Sequence, residues 1–248
     1  MNELFGYTRD VVKARYALRT PAGFVPGWQP GWRDTACVMQ ISDALGANFR
    51  QLLVTLGQTS EGRGNTGLIE CVIYILAGTC RAELGGSRHA LAAGDYVYLP
   101  AEHDFRFSDA APATQLLIFQ KRFQPLAGYE KPELIVGHAK DAPGQPFLGN
   151  KDARLQVLLP DKPEFDLAVN IFTYQPGATL PFVESHVMEH GLVMLSGQGI
   201  YRLDADWHPV QAGDVIWMAP YCPQWFVAMG RVPASYIYYK DVNREPLL

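Results

Sequence analysis

The sequence predicts an all-β chain built as two tandem β-sandwich or barrel domains. Three observations lead there. Short runs of β-branched and aromatic residues recur with Gly, Pro, Asn and Asp clusters between them, the cadence of a sandwich or barrel. Few windows carry the apolar period of a helix. The second half of the chain also repeats the first at an offset of 119 residues: Glu70 falls on Glu189, Leu76 on Leu195, Gly78 on Gly197, and Ala93-Gly94-Asp95 on Ala212-Gly213-Asp214. Val97 meets Ile216, and Pro100 comes within one residue of Pro220.

In chain order, residues 1–35 read as an N-terminal arm. Asp10 to Arg15 could hold a helical turn or two. Pro21 to Trp32, with three prolines and two tryptophans, reads as an extended segment laid on apolar surface. The first domain is expected over residues 36–125, with strands at Cys37–Ile41, Phe49–Leu56, Cys71–Leu76, Cys80–Leu84, Tyr96–Leu99 and Gln115–Phe119. Three glycines and an asparagine within Glu61–Gly67 read as a loop. Residues 126–149, in a stretch rich in Pro and Gly, are the expected linker, and residues 150–248 the second domain. The Gly-Asp pairs are expected as tight turns feeding apolar strands.

Composition bounds the function. Hydrophobic residues make up 48% of the 248 and charged residues 19%, enough for a sizeable core and no case for disorder. A net charge of −4 without any Lys/Arg cluster argues against a nucleic-acid partner. No apolar run reaches the length of a membrane span. Met1 to Tyr7 lacks the basic and apolar regions of a signal peptide, so a cytoplasmic protein is expected. Cys37, Cys71, Cys80 and Cys222 lack metal-type spacing and are expected as buried free thiols.

Chemistry concentrates in Glu184-Ser185-His186-Val187-Met188-Glu189-His190. The chain has six histidines, and two of them stand four apart here beside a carboxylate. On a strand Glu184 and His186 would share one face, and a turn would bring His190 to them. Gly191, Gly197 and Gly199 argue against a helix. A carboxylate oxygen and two imidazole nitrogens suit a divalent transition metal; the plainer reading is a satisfied polar sheet edge. The repeat sharpens the choice, because the counterparts of Glu184, His186 and His190 are Asn65, Gly67 and Cys71. The first copy kept the turns and has no ligands. Glu189, matched by Glu70, reads as structural. His89, His103, His138 and His208 read as surface or satisfied loop histidines, and Cys222, with no base placed beside it, as packing.

These spacings resemble the cupin family. His190 to Gly197 keeps its seven-residue step, and Gly213-Asp214-Val215-Ile216-Trp217-Met218-Ala219-Pro220 its second motif, with Gln224 at the last ligand position. The Glu, His, His, Gln set in the second half of a bicupin resembles the (S)-ureidoglycine aminohydrolase family, manganese enzymes of purine (allantoin) catabolism. So do His190 to Tyr201, the Leu203-Asp204-Ala205-Asp206-Trp207 hairpin, and the tail Ser235-Tyr236-Ile237-Tyr238-Tyr239-Lys240-Asp241-Val242-Asn243-Arg244.

The resemblance implies two cupin domains, with Mn2+ held by Glu184, His186, His190 and Gln224 in the second alone. It also implies a substrate contacted by Glu184, Gln224, Tyr236, Lys240 and Tyr201. Glu184 and Lys240 would be catalytic, in a hydrolase of C–N bonds other than peptide bonds (the linear-amidine class). The substrate would be (S)-2-ureidoglycine and the products (S)-ureidoglycolate and ammonia; separately, the aromatic N-terminal arm leads to the expectation of a homo-oligomer. From the residues themselves, Tyr236, Tyr238 and Lys240 share parity on one strand, so an inward Tyr236 brings Lys240 inward. Otherwise Lys240 would be a solvated strand end and the two tyrosines core packing. Two oxygen donors and no thiolate favour manganese over zinc. A bicupin dioxygenase, an isomerase and a non-enzymatic small-molecule binder share the fold and stay open.

Overall fold

The computed structural model describes residues 7–244, and among these nearly every regular element is a strand; the helical pieces are the short 3-10 turns Pro21–Gly23, Asp43–Leu45 and Ala139–Asp141. Two compact units form. One gathers the chain up to Val25, Gln145–Leu155 and Ile171–Lys240; the other gathers Pro26–Gly144, Gln156–Asn170 and the chain from Asp241 on. The segment read as an arm is therefore divided at Val25/Pro26 between them. Within the expected linker, Ile135–His138 forms a strand that pairs with Asp95–Leu99. Residues 1–6 and 245–248, the ends of the expected arm and second domain, lie outside the described residues. No helix among the described residues is long and apolar enough to cross a membrane.

In the unit from Pro26, alternation builds the core. Leu52, Val54 and Leu56 on Phe49–Asn65, Cys71, Ile73 and Ile75 on Ile69–Ala77, and Leu116 and Ile118 on Thr114–Arg122 all enter one apolar cluster. Most of the expected loop at Glu61–Gly67 is instead the far end of the 17-residue strand Phe49–Asn65, whose residues Gly62 to Asn65 pair with Asp104–Phe107; the chain turns only past Asn65, at Gly67. Gly62 and Gly64 make room rather than turns: a Cβ on Gly62 would stand 2.3 Å from the Trp32 ring and one on Gly64 3.3 Å from the Phe105 ring. Buried Trp32 stacks on Phe107 at 5.9 Å and 18°.

The other unit is a sandwich. An eight-stranded sheet contains Val11–Val12, Tyr16–Arg19, Val215–Met218, His190–Ser196, Ala234–Asp241 and Leu167–Tyr174 in that order. A three-stranded sheet, Asp206–Gln211, Gln198–Leu203 and Gln224–Met229, faces it, and both contribute to one core. Asp10 to Arg15 holds no helical turn: Val11–Val12 pairs with Tyr16–Arg19, which adds a strand beside Val215–Met218. Burial of Tyr16 and Leu18 against that sheet outweighs the weak local helical preference.

The repeat is visible in three dimensions. Asp95 accepts from the Ala92 N–H at 2.7 Å and Asp214 from the Gln211 N–H at 2.9 Å, so each Gly-Asp pair closes its turn the same way. Gly197 has φ +70°, and a Cβ there would meet the Pro233 carbonyl oxygen at 2.5 Å, which is why this landmark is glycine. Glu70 accepts from the Tyr98 hydroxyl at 2.7 Å and Glu189 from the Trp217 indole N–H at 3.2 Å. Both glutamates are buried structural partners of the neighbouring strand. The four cysteines are free and buried.

Glu70 carries a further consequence. Asp166, fully buried, accepts from the Lys121 ammonium and from the Gln124 N–H at 2.8 Å, while Glu70 Oε1 and Asp166 Oδ1 are buried with no other partner. A proton on Glu70 would give the Asp166 carboxylate a donor. Burial first, and the hydrogen bond to Asp166 second, push the Glu70 carboxyl up to about 9. The folded state then holds a proton that the unfolded chain has released, so this group's stabilisation is complete below the ordinary glutamate range and is lost as pH rises towards about 9. Glu70→Gln keeps a donor for Asp166 and an acceptor for Tyr98 without titrating. Its melting temperature is expected to decline less than wild type across that window; parallel curves would contradict the shared proton.

Candidate metal centre

All seven residues singled out from the sequence, Glu184, His186, His190, Tyr201, Gln224, Tyr236 and Lys240, line one cavity of about 190 Å³ in the sandwich unit. The elements that place them differ in kind. His190 opens the strand His190–Ser196, where it stands across from Met218 on one side and Lys240 on the other. Residues 181–189 before it are not a strand; the chain bends there and is held by the Glu184–Gln224 bridge, with N–H to carbonyl distances of 2.9 Å both ways, and by the Tyr221 N–H donating to the His186 carbonyl at 2.7 Å. Strand parity is therefore not what brings Glu184 and His186 together. Backbone pairing to the start of Gln224–Met229 holds Glu184 in place.

The imidazoles are fixed from behind. His186 Nδ1 donates to the Met188 carbonyl at 3.1 Å, and His190 Nδ1 to the Tyr239 carbonyl at 3.2 Å. The ring of His190 also meets Tyr238 edge to face at 5.5 Å. Because each Nδ1 faces a carbonyl, each must carry its proton there in the neutral ring. Both Nε2 atoms then carry lone pairs, and they face each other at 3.2 Å. Two lone pairs at that distance repel unless a cation lies against them. Burial, then the neighbouring His186, lowers the His190 pKa to about 3, which leaves it the neutral ligand form.

Oxygen donors complete the set. The Gln224 amide lies 3.0 Å from His186 Nε2, and turning its plane over presents Oε1 at that point. Glu184 Oε2 is 3.9 Å from His186 Nε2. Burial raises the Glu184 carboxyl above its ordinary range, and Lys240 opposes that shift. Among the described residues no three His, Cys, Asp or Glu side chains stand ready gathered as a metal cage. What is gathered is an imidazole pair, an amide and a nearby carboxylate, a donor set that fits a divalent transition metal of mixed nitrogen and oxygen preference.

The remaining wall is tyrosine and apolar. Tyr236, Tyr238 and Lys240 alternate along Ala234–Asp241 and all reach the cavity. Phe172 stacks on Tyr238 at 5.8 Å and 12°, and Met188 and Met218 line the rim. Tyr238 was findable from parity alone. Phe172 was not, because nothing in its own neighbourhood of sequence marks it.

The matching cavity of the other unit, also about 190 Å³, is lined by Asn65, Cys71 and Gln120. Asn65 is already engaged with Asp104 and the Gly67 N–H, and burial pushes the Cys71 thiol up to about 12. Among the described residues no His, Asp or Glu lines it. In this unit Cys71 faces Gln120, whereas His190 faces Lys240. The last strand is thus offset by 120 rather than 119 residues, so Lys121 turns to Asp166 and only Lys240 reaches a cavity.

Two family models match the chain, a cupin domain over residues 170–239 and an EutQ-like cupin domain over residues 48–115. A rice protein (Oryza sativa subsp. japonica) named probable (S)-ureidoglycine aminohydrolase is 40% identical over all of this chain and 80% of its own length. The (S)-ureidoglycine aminohydrolase of Escherichia coli K12 is 37% identical over 99% of this chain and 98% of its own. A crystal structure of the E. coli protein Ylba superposes with a TM-score of 0.87 at 34% identity, covering 97% of each chain.

Proposed function

The chain belongs to the (S)-ureidoglycine aminohydrolase family of two-domain cupins, and from that membership we propose that it converts (S)-2-ureidoglycine and water to (S)-ureidoglycolate and ammonia, with manganese as its metal, in purine (allantoin) catabolism. The observation that carries this reading is the convergence of Glu184, His186, His190 and Gln224 with Lys240 in one cavity. The metal-like donor set and the cation stand on facing strand positions, His190 across from Lys240.

The substrate carbon bears an amine, a ureido nitrogen and a carboxylate. Its C–N bond to the amine breaks, a C–O bond to water's oxygen forms, and water's protons are shared between the departing ammonia and the new hydroxyl. Manganese, when bound, supplies a Lewis acid at the imidazole pair. Lys240 offers a point charge for the carboxylate, partly withdrawn from solvent by the tyrosines that precede it on the strand. Glu184, 3.9 Å from His186 Nε2 and within the field of Lys240, would pass a proton to or from the leaving amine. Tyr201 and Tyr236 hold polar oxygens in an otherwise apolar wall, which orients a ligand whose own groups are all polar.

The deciding experiment is ammonia release from freshly generated ureidoglycine, with and without added manganese, in air and under anaerobic conditions. Manganese-stimulated release that ignores oxygen is the expected result. No release, or release that requires oxygen, would sink the assignment.

A further inference from the structure

Behind the cavity wall stands a tyrosine that neither motif nor spacing marks. Tyr174 ends the strand Leu167–Tyr174, is fully buried, and does not line the cavity. Its hydroxyl lies 3.2 Å from that of Tyr236, which does line it. Tyr236 is the one hydrogen-bond partner of the Tyr174 hydroxyl among the described residues. The Tyr174 ring is clamped by Phe172 at 5.1 Å, Phe226 at 5.1 Å and the Tyr236 ring at 5.9 Å, so the hydroxyl has no freedom to seek another acceptor.

Two phenols have two protons and share one hydrogen bond. If Tyr236 donated to Tyr174, the Tyr174 proton would be left among aromatic rings with no acceptor, and a buried donor without a partner is costly. If Tyr174 donates, no proton is stranded: the Tyr236 proton turns to the cavity, where the neighbouring Tyr201 oxygen or a ligand oxygen takes it. We infer that Tyr174 is a positioning residue that turns the Tyr236 O–H into the cavity, making this wall a hydrogen-bond donor that selects a carboxylate oxygen. Lys240 projects from the same strand face beyond Tyr238, so hydroxyl and ammonium both present donors to the cavity. The inference deepens the proposed function and rests on it only for the ligand's identity, the ureide carboxylate.

The test uses the manganese-loaded protein, with oxamate as an unreactive carboxylate probe titrated calorimetrically and steady-state ammonia release measured in parallel. Tyr174→Phe keeps the ring and deletes the hydroxyl. It is expected to weaken oxamate about tenfold and to raise KM by a similar factor, the scale of one hydrogen bond. Its kcat should stay within about twofold of wild type, since the bond is made alike in ground and transition states. Tyr236→Phe should weaken oxamate at least as much, and the double variant no more than Tyr236→Phe alone, because Tyr174 acts through Tyr236. A purely structural role predicts a lower melting temperature with Kd and KM unmoved. An unchanged oxamate Kd in Tyr174→Phe, additive losses in the double variant, or no oxamate binding by the wild-type protein would overturn the inference. Failure of the wild type to release ammonia strikes the proposed function instead and leaves the oxamate comparison to decide on Tyr174.

Discussion

Replacing His190 by alanine is expected to strip the metal from the protein and abolish ammonia release. His190 is buried, its Nδ1 is tied to the Tyr239 carbonyl, and its Nε2 is one of two lone pairs that face each other at 3.2 Å. Removing it takes a ligand nitrogen away and leaves His186 without its opposing donor. A bound Lewis acid contributes several kcal/mol to such a reaction, so a loss of about a thousandfold or more in kcat/KM is expected. Because His190 also packs on Tyr238, a misfolded variant has to be told apart from a demetallated one. His186→Ala, at a less buried loop position, serves that purpose and should lose metal with little change in melting temperature. Cys71→Ala, at the matching position of the other unit, should leave metal content as in wild type. Metal analysis of the three proteins after dialysis checks this. Full occupancy in His186→Ala or His190→Ala, or loss in Cys71→Ala, would mean that the metal is held elsewhere.

The second large effect is expected at Lys240. Its neighbour across the sheet is His190, it lies on the cavity side of Ala234–Asp241, and Tyr236 and Tyr238 precede it on the same face. Lys240→Met keeps the length of the stem and removes the charge. If Lys240 holds the substrate carboxylate, a charge-assisted contact contributing about 1.5–3 kcal/mol is lost. That corresponds to a fall of roughly ten- to a hundredfold in kcat/KM. Metal content and melting temperature should stay near wild type. Lys240→Arg should be impaired as well, since a planar fork does not replace a point charge in a confined wall. A solvated strand-end lysine would leave both variants active. Near-normal kcat/KM in Lys240→Met would therefore end the carboxylate role.

Much of this was legible in the sequence because it depends on local rules. Strand alternation put Tyr236, Tyr238 and Lys240 on one face whatever surrounds them, and the apolar cadence fixed the all-β class. The repeated Glu, Gly and Gly-Asp positions are each held by a contact close in the fold, from Glu70 with Tyr98 to Gly197 under the Pro233 carbonyl. Comparing the two copies also separated Glu189, a buried partner of Trp217, from Glu184 in the cavity.

Tertiary contacts decided the rest. Gly62 and Gly64 look like turn residues in isolation, yet they lie within a long strand because aromatic rings cover them. Val11–Val12 takes strand geometry only because Tyr16–Arg19, itself paired to Val215–Met218, is there to pair with. Glu184 reaches the cavity through pairing with a residue 40 positions away, Gln224, which no period in the intervening chain encodes. The one-residue difference in offset that sends Lys121 to Asp166 and Lys240 to the cavity is likewise a property of strand register. So is the approach of Tyr174 to Tyr236 across 62 residues. A sequence lists which side chains alternate on each strand. Which strands lie side by side, and which side chains then meet in the space between them, follows from burial and pairing summed over the whole domain.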